Sequence, residues 1–182
     1  DGKYMGYGTH ESKDTFLWVN YSKARFPDCA IFLLGVSMGG ATVLMMSNHA
    51  DDPAIRGIVA DCPYTSAWDE FSYQIHTSFH LPDFPVLHIC DLYCRIFCGY
   101  RFRDASPLDA VRCAKKPVLF IHGEKDDYVP TFMQGTLYDA CPTKKERLVV
   151  PGAVHARSYY TAPALYQKTI TEFIEQYAGE KV

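Results

Sequence analysis

The segment AIFLLGVSMGGATVL, residues 30–44, constrains the fold more than any other part of the chain. A continuously apolar run, CAIFLL, stops at a glycine-rich turn, and a helical pattern follows from about Met38. Such runs are typical of parallel strands that are covered on both faces. Parallel strands need a crossover connection, which is usually a helix. The segment therefore predicts a strand–turn–helix unit of an α/β domain.

Further strands and helices alternate along the chain. Short apolar runs bounded by Gly, Pro or Asp predict three more strands, at residues 55–61, 117–123 and 147–152. Apolar residues at helical spacing predict helices at residues 9–25, 38–48, 131–140 and 162–177. This alternation indicates a single α/β domain with a parallel sheet.

Composition and charge limit the kinds of partner. The chain has 182 residues, of which 48% are hydrophobic, so one domain can bury a substantial core. Its formal net charge of -3 and the lack of any run of like charges argue against a nucleic-acid or anionic-membrane surface. We therefore expect a small-molecule partner and no nucleic acid. The longest apolar runs are far shorter than the roughly 20 residues that cross a bilayer.

Cysteine and histidine spacing bears on compartment and metal binding. The seven cysteines are odd in number and irregularly spaced, which suits reduced thiols and favours a cytoplasmic location. Cys90, Cys94 and Cys98 recur every fourth residue, as do His76 and His80. The cysteine spacing is that of a buried helix face, and the histidine pair lacks the glutamate of the H-E-x-x-H motif. Neither pattern predicts a metal site.

The interval at residues 62–112 is too long for a plain crossover between strands, and we interpret it as a helical insertion. An insertion at the carboxyl ends of parallel strands lies where ligands bind, which suggests a lid over an apolar pocket. Aromatic residues that merely pack the insertion onto the sheet are an equally good interpretation. The aromatic residues concerned are Trp68, Phe71, Tyr73, Phe79, Phe84, Tyr93, Phe97, Tyr100 and Phe102.

The turn GVSMG fits the pattern G-x-S-x-G and lies between a predicted strand and a predicted helix. That setting is the one a nucleophile elbow requires, because glycines allow a sharp turn from which the serine hydroxyl projects. The free N–H groups at the start of the following helix would stabilise developing negative charge. Ser37 is therefore a candidate nucleophile.

A serine hydroxyl needs a base, and the acid and histidine that complete this scaffold follow the serine in that order. The loop HGEKDDYVP after the third strand carries Asp126 and Asp127. The loop PGAVHARSY after the fourth strand carries His155, the one histidine downstream of that acidic loop. Spacing alone does not separate the two aspartates.

With these residues the chain resembles the α/β-hydrolase superfamily, in particular its bacterial serine-aminopeptidase-like and acyl-hydrolase-like branch. The family motif G-x-x-D-x-x-V-P, laid on Gly123–Pro130, selects Asp126, with Asp61 as the fallback acid. The resemblance implies a hydrolase that cleaves carboxylic esters or related acyl bonds through Ser37, Asp126 and His155, without metal or organic cofactor. The substrate would be a small ester or amide with an apolar group. A peptidase, an acyltransferase and an inactive hydrolase-fold binding protein are the alternatives.

The resemblance also implies that the sequence corresponds to the carboxyl part of the fold. Full-length members carry four strands before the elbow strand, and a loop among them supplies half of the oxyanion hole. The backbone N–H of Met38 would supply the other half. Without those strands CAIFLL is an exposed edge, from which we expect self-association. Family members often carry an amino-terminal membrane or export segment, so the resemblance leaves anchoring or export open.

Overall fold

The computed structural model describes residues 4–49 and 51–179. Its strands are β1 (Ile31–Val36), β2 (Ile55–Asp61), β3 (Val118–Gly123) and β4 (Lys145–Val150). They form one sheet in the order β1-β2-β3-β4, in which every neighbouring pair is parallel. The helices are α1 (Glu11–Arg25), α2 (Met38–Met45), α3 (Ala67–Ser78), α4 (Val86–Phe97), α5 (Pro107–Val111), α6 (Thr131–Ala140), α7 (Ser158–Thr161) and α8 (Pro163–Ala178). The predicted α/β class with a parallel sheet is confirmed.

The two central strands explain the continuously apolar runs in the sequence. Successive side chains of a strand point to opposite faces of the sheet. Ile58 and Phe120 accordingly join one buried cluster, on the face that α2 covers. Val59 and Leu119 join another cluster, which Phe173 of α8 covers. Both faces of β2 and β3 are therefore buried, and an alternating polar pattern is absent.

β1 lies at an edge of the sheet and pairs with β2 alone among the described strands. Leu33 is buried, whereas Leu34 and Val36 are 51% and 40% exposed. The expected edge position of this strand agrees with the order of the described strands. An exposed apolar edge strand is a template for association with another chain.

Three helices, α3, α4 and α5, occupy the predicted insertion at residues 62–112. Its aromatic residues include a buried and an exposed group, and Phe71 and Tyr73 are half-buried against the first. Trp68, Tyr100 and Phe102 are buried in a cluster with Ala41 of α2 and other residues. Phe79, Phe84, Tyr93 and Phe97 are exposed. Packing onto the domain thus accounts for the first group, and a lid remains an interpretation for the second.

The expectation that Cys90, Cys94 and Cys98 form a buried helix face is wrong for Cys90, which is exposed, while the other two are half-buried. Each four-residue step overshoots a full turn by about 40°, so three such residues drift off a narrow face. His80 lies beyond Ser78, the last residue of α3, so it does not share a helix face with His76. Among the described residues, no helix combines the length and the apolar character needed to cross a bilayer.

Candidate active site

The turn between β1 and α2 places Ser37 in a strained backbone conformation, with φ 56° and ψ -119°. A non-glycine residue with positive φ costs on the order of 1–3 kcal/mol and tends to occur at functional sites. The N–H of Ser37 donates to the carbonyl of Asp61 at 2.8 Å, which ties the turn to the end of β2. The sharp turn predicted from the sequence is therefore present, and it presents the serine at the carboxyl edge of the sheet.

Close backbone approaches make two glycines of the turn necessary. A Cβ at Gly35 would lie 2.1 Å from the carbonyl oxygen of Gly39, and one at Gly40 would lie 2.8 Å from that of Asp61. A Cβ at Gly39 itself would meet nothing within 4 Å among the described atoms. The second glycine of G-x-S-x-G is thus sterically free here, and the glycine after it brings α2 against β2.

A chain of hydrogen bonds joins Ser37, His155 and Asp126. The hydroxyl of Ser37 lies 2.9 Å from Nε2 of His155, and Nδ1 of His155 lies 2.8 Å from Oδ2 of Asp126. An ionised carboxylate only accepts hydrogen bonds, so Nδ1 carries the proton and Nε2 is free to accept one from the serine. The structure thus brings together three residues that are far apart in the sequence.

Asp126 is buried and fully bonded. Its Oδ1 accepts from the N–H groups of Tyr128 at 3.1 Å and Val129 at 2.9 Å, and its Oδ2 lies 3.3 Å from Nε2 of His122 in addition to its contact with His155. Burial by itself would raise the pKa of Asp126. Hydrogen bonds from the two histidines outweigh that effect and lower the pKa to about 2. The carboxyl group is therefore ionised at neutral pH.

The other two candidate acids are placed differently. Asp127 is exposed to solvent. Asp61 is buried at the end of β2, and it accepts hydrogen bonds from the hydroxyl of Ser158 at 3.1 Å and from Tyr166. Burial raises the pKa of Asp61 despite these bonds. Its partners begin α7 and lie in α8, so Asp61 anchors the chain that follows His155.

Met38 is the first residue of α2, directly after the Ser37 cap. The N–H groups in the first turn of a helix have no intrahelical acceptor, and the positive end of the helix dipole lies there. The backbone N–H of Met38, the residue after Ser37, is thus unused by the helix. It is the donor that the sequence predicts for an oxyanion.

His122 is a residue of the site to which the sequence analysis gave no role. It is fully buried at the end of β3, where its Nε2 donates to the carbonyl of Val129 at 2.8 Å and approaches Asp126. Its Nδ1 is buried without a partner among the described atoms. Placement at the carboxyl end of a strand, next to the acidic loop, is the signal that could have found it.

Cys62 is a further residue that the sequence analysis did not assign. Its sulfur, a carboxylate oxygen of Asp126 and a ring nitrogen of His155 all lie within 4.8 Å of one another. Metal ligation requires a thiolate. Burial raises the pKa of Cys62 to about 12, so the thiol is neutral at physiological pH. The other two groups already bind each other, which leaves this trio poorly suited to hold a metal.

Comparison with known sequences identifies the family. A sequence model of the prolyl oligopeptidase family, peptidase family S9, matches residues 3–181. The protein YqkD of Bacillus subtilis is 33% identical over 176 residues, which cover 96% of this chain and 57% of YqkD. The Arabidopsis thaliana alpha/beta hydrolase domain-containing protein WAV2 is 32% identical over 194 residues, covering 98% of this chain and 60% of WAV2. The chain thus spans about three fifths of the length of these relatives.

Solved structures show the same fold. The Pyrococcus furiosus esterase Pf2001 superposes with a TM-score of 0.73 at 22% identity, over 98% of this chain and 66% of the esterase. The acylaminoacyl peptidase of Pyrococcus horikoshii superposes with a TM-score of 0.70 at 18% identity, over 97% of this chain and 29% of the peptidase. The sheet and its flanking helices are therefore part of an α/β-hydrolase fold. With a family match over nearly its whole length, the chain belongs to the prolyl oligopeptidase family of the α/β-hydrolase superfamily.

Proposed function

We propose that the protein is a serine hydrolase that cleaves carboxylic esters or related acyl bonds. The observation that carries this proposal is the hydrogen-bonded chain from Ser37 through His155 to Asp126. A serine with a base at hydrogen-bond distance, and a third group that orients the base, is the arrangement that nucleophilic acyl transfer requires. The family membership supports the same class of reaction.

In the proposed reaction Ser37 attacks the carbonyl carbon of the substrate while Nε2 of His155 accepts the hydroxyl proton. The tetrahedral intermediate places its negative oxygen near the N–H of Met38. His155 then donates the proton to the leaving alcohol or amine, and an acyl-enzyme remains. Water repeats the attack, with His155 again acting first as base and then as acid. Asp126 holds the imidazole in the required tautomer and stabilises its charged form.

Aromatic residues around the site suit an apolar acyl or aryl group. The ring of Tyr128 packs against the ring of His155, with 4.9 Å between centroids. Tyr7 packs edge-on against Phe71 at 4.9 Å, and both lie against the same buried cluster as Met38. Aromatic rings of this kind supply large apolar surfaces beside the reacting groups. We therefore propose a small ester or amide with an apolar group as the substrate.

A peptidase is the second candidate, because the matching family is the prolyl oligopeptidase family. The same three residues would cleave an amide, since specificity depends on the pocket rather than on the catalytic groups. Initial rates on short-chain aryl esters and on aminoacyl aryl amides would separate the two. An esterase should have a clearly higher kcat/KM on the aryl esters than on the amides. A peptidase should have kcat/KM values of similar size on both kinds of substrate.

Covalent labelling tests the proposal itself. A fluorophosphonate probe should form a stable adduct on Ser37 in the whole protein, detected by peptide mass spectrometry. S37A should lose the adduct together with ester hydrolysis, while S22A, in a half-buried serine of α1, should keep the adduct. A whole protein that forms no adduct, or an adduct that persists in S37A, would show that the proposed nucleophile is wrong.

A further inference from the structure

Glu70 is a buried carboxyl group in the first turn of α3, and the proposed chemistry does not use it directly. The residue is only 6% exposed. Its Oε1 accepts a hydrogen bond from the side-chain amide of Gln74 at 3.1 Å. Its Oε2 is buried and has no hydrogen-bond partner among the described atoms. An isolated buried carboxylate is costly, so its presence beside a site calls for a physical account.

Gln74 connects Glu70 to the acid loop. Its side-chain nitrogen donates both to Glu70 and to the carbonyl oxygen of Tyr128. Its side-chain oxygen accepts from the hydroxyl of Ser78 at 3.1 Å. Both N–H donors of this amide and one of its two acceptor positions are thus engaged, which fixes its orientation. The amide therefore ties α3 to the backbone of Tyr128.

Tyr128 passes this constraint to the reacting groups. Its N–H donates to Oδ1 of Asp126 at 3.1 Å. Its ring packs against the imidazole of His155. A side chain that fixes the backbone of Tyr128 consequently helps to fix both the acid and the ring surface on which the base lies.

Glu70 also lies within electrostatic reach of the site. Burial raises the pKa of Glu70 to about 7, against the opposing effects of its bond from Gln74 and of the charge on His155. The negative charge of Asp126, in the acid loop, also raises the pKa of Glu70. The phenol of Tyr64, in the segment after β2, also interacts with Glu70. A negative charge on Glu70 and a positive charge on the imidazole of His155 therefore attract each other.

We propose that Glu70 is a positioning residue of the hydrolytic site, which holds Tyr128 through Gln74 and whose carboxylate favours the imidazolium that forms on His155 during acyl transfer. The proposal rests on the proposed hydrolase function. Attraction between the carboxylate and the imidazolium exists only after the serine proton has moved. It therefore lowers the barrier rather than strengthening substrate binding, and it acts on kcat.

Two substitutions in the whole protein separate the charge from the tether. E70Q keeps an oxygen that accepts from Gln74 but removes the charge. Its kcat on an aryl ester should match that of the wild type at pH 6 and fall about 3- to 10-fold below it at pH 8, because only the wild type gains a carboxylate near pH 7. Q74M keeps the charge and loses the tether. Its kcat should fall at both pH values with KM little changed, and the rise of kcat with pH should persist but move above pH 7, because the hydrogen bond from Gln74 lowers the pKa of Glu70.

E172Q, which changes an exposed carboxylate on α8, is the matched control and should leave the pH dependence of kcat unchanged. The profiles of E70Q and the wild type should differ by one ionisation near pH 7. An active, fluorophosphonate-labelled enzyme in which E70Q keeps the wild-type profile would overturn this proposal alone. A wild type in which the probe does not label Ser37 would overturn the hydrolase function and this proposal with it. A thermal melt of each variant separates these results from loss of the fold.

Discussion

Asp126 accepts more hydrogen bonds than any other carboxylate near Ser37, and its replacement tests the assignment of the acid. In D126N the amide would donate to Nδ1 of His155, so the proton of the imidazole would move to Nε2 and the serine would lose its acceptor. We expect kcat/KM for ester hydrolysis to fall roughly 10⁴-fold at pH 7. D127N changes the adjacent exposed carboxylate and should retain full activity. The reverse pattern would transfer the role to Asp127.

Glu70 also predicts a pH dependence of stability. Its pKa in the folded protein is about 7, against an ordinary value of 4.5. Between these values the folded protein holds a proton that the unfolded chain has lost, so the free energy of unfolding should fall as the pH rises from 4.5 to 7 and level off above it. The fall attributable to Glu70 is at most about 3 kcal/mol.

Urea unfolding of the wild type and E70Q at pH 5 and pH 8 measures this effect. E70Q should be the less pH-dependent of the two, because its amide does not titrate. Asp126 has a lowered pKa and contributes stability that is lost only as the pH falls below its ordinary value of 3.8 toward 2, outside this window. Equal pH dependence in both proteins would show that Glu70 titrates normally.

The residues of the site differ in how far the sequence predicts them. Ser37 and His155 follow from a motif in its strand-end context and from the order of the partners in the chain. Asp126 needed the resemblance to a family, because Asp127 satisfies the same order. Glu70 carries no such signal, and the strand-end position of His122 is a weak one, because an acid in the first turn of a helix and a histidine at a strand end are both common. Only tertiary packing places them beside the site.

At the scale of elements, the contact between α2 and β2 depends on Gly40. Its Cβ position lies 2.8 Å from a backbone oxygen of Asp61, which cannot move without shifting β2. G40A should therefore lower the free energy of unfolding by roughly 1–3 kcal/mol. G39A adds the same methyl group to the same helix where nothing lies within 4 Å, and it should be neutral or stabilising by less than about 1 kcal/mol.

Urea unfolding of the two variants in the whole protein checks this difference. The two glycines are neighbours, so helix propensity affects both alike and the difference reports the contact with β2. Similar losses for G39A and G40A would mean that a residue outside the described part of the chain also packs closely on Gly39. That result would contradict the steric freedom inferred for this position.

The strands and helices were predicted best where burial on both faces leaves an unbroken apolar run. The prediction for β2, residues 55–61, matches the structure. The strand predicted at residues 147–152 instead begins at Lys145 and ends at Val150. β4 is the other edge of the described sheet, and half-exposed polar side chains begin it, so an apolar run does not mark its start. The helix predicted to Asn48 ends at Met45 and continues as a short 3₁₀ helix.

At the scale of the whole molecule, the described part of the chain exposes apolar side chains on α1, such as Leu17 and Trp18, and on two further surfaces. One is the edge formed by β1, beside a groove of ≈ 440 Å³ whose lining includes Leu34 and Met38. The other is the outward face of α4, where Ile89, Leu92 and Ile96 are each more than half exposed. Exposed apolar surface of this extent favours association, and the two surfaces differ in their chemistry. Only β1 also offers unpaired backbone groups.

The register of β1 shows which of its backbone groups are free. The N–H of Ile31 donates to the carbonyl of Ala54, and that of Ser37 donates to the carbonyl of Asp61. Odd-numbered residues of the strand therefore point their N–H groups toward β2, and the N–H of Leu34 points outward. Leu34 thus combines an exposed side chain with an outward-facing backbone donor at the edge.

We predict that the 182-residue chain, studied on its own, self-associates through β1. A lysine on an edge strand opposes pairing, because two copies would bring like charges together. L34K should therefore shift the chain toward monomer in sedimentation velocity at low salt. L92K places the same charge on the exposed face of α4 and should leave the association unchanged. Monomer formation by L92K in place of L34K would assign the association to α4. A wild-type chain that sediments as a single monomer and melts cooperatively would contradict the prediction altogether.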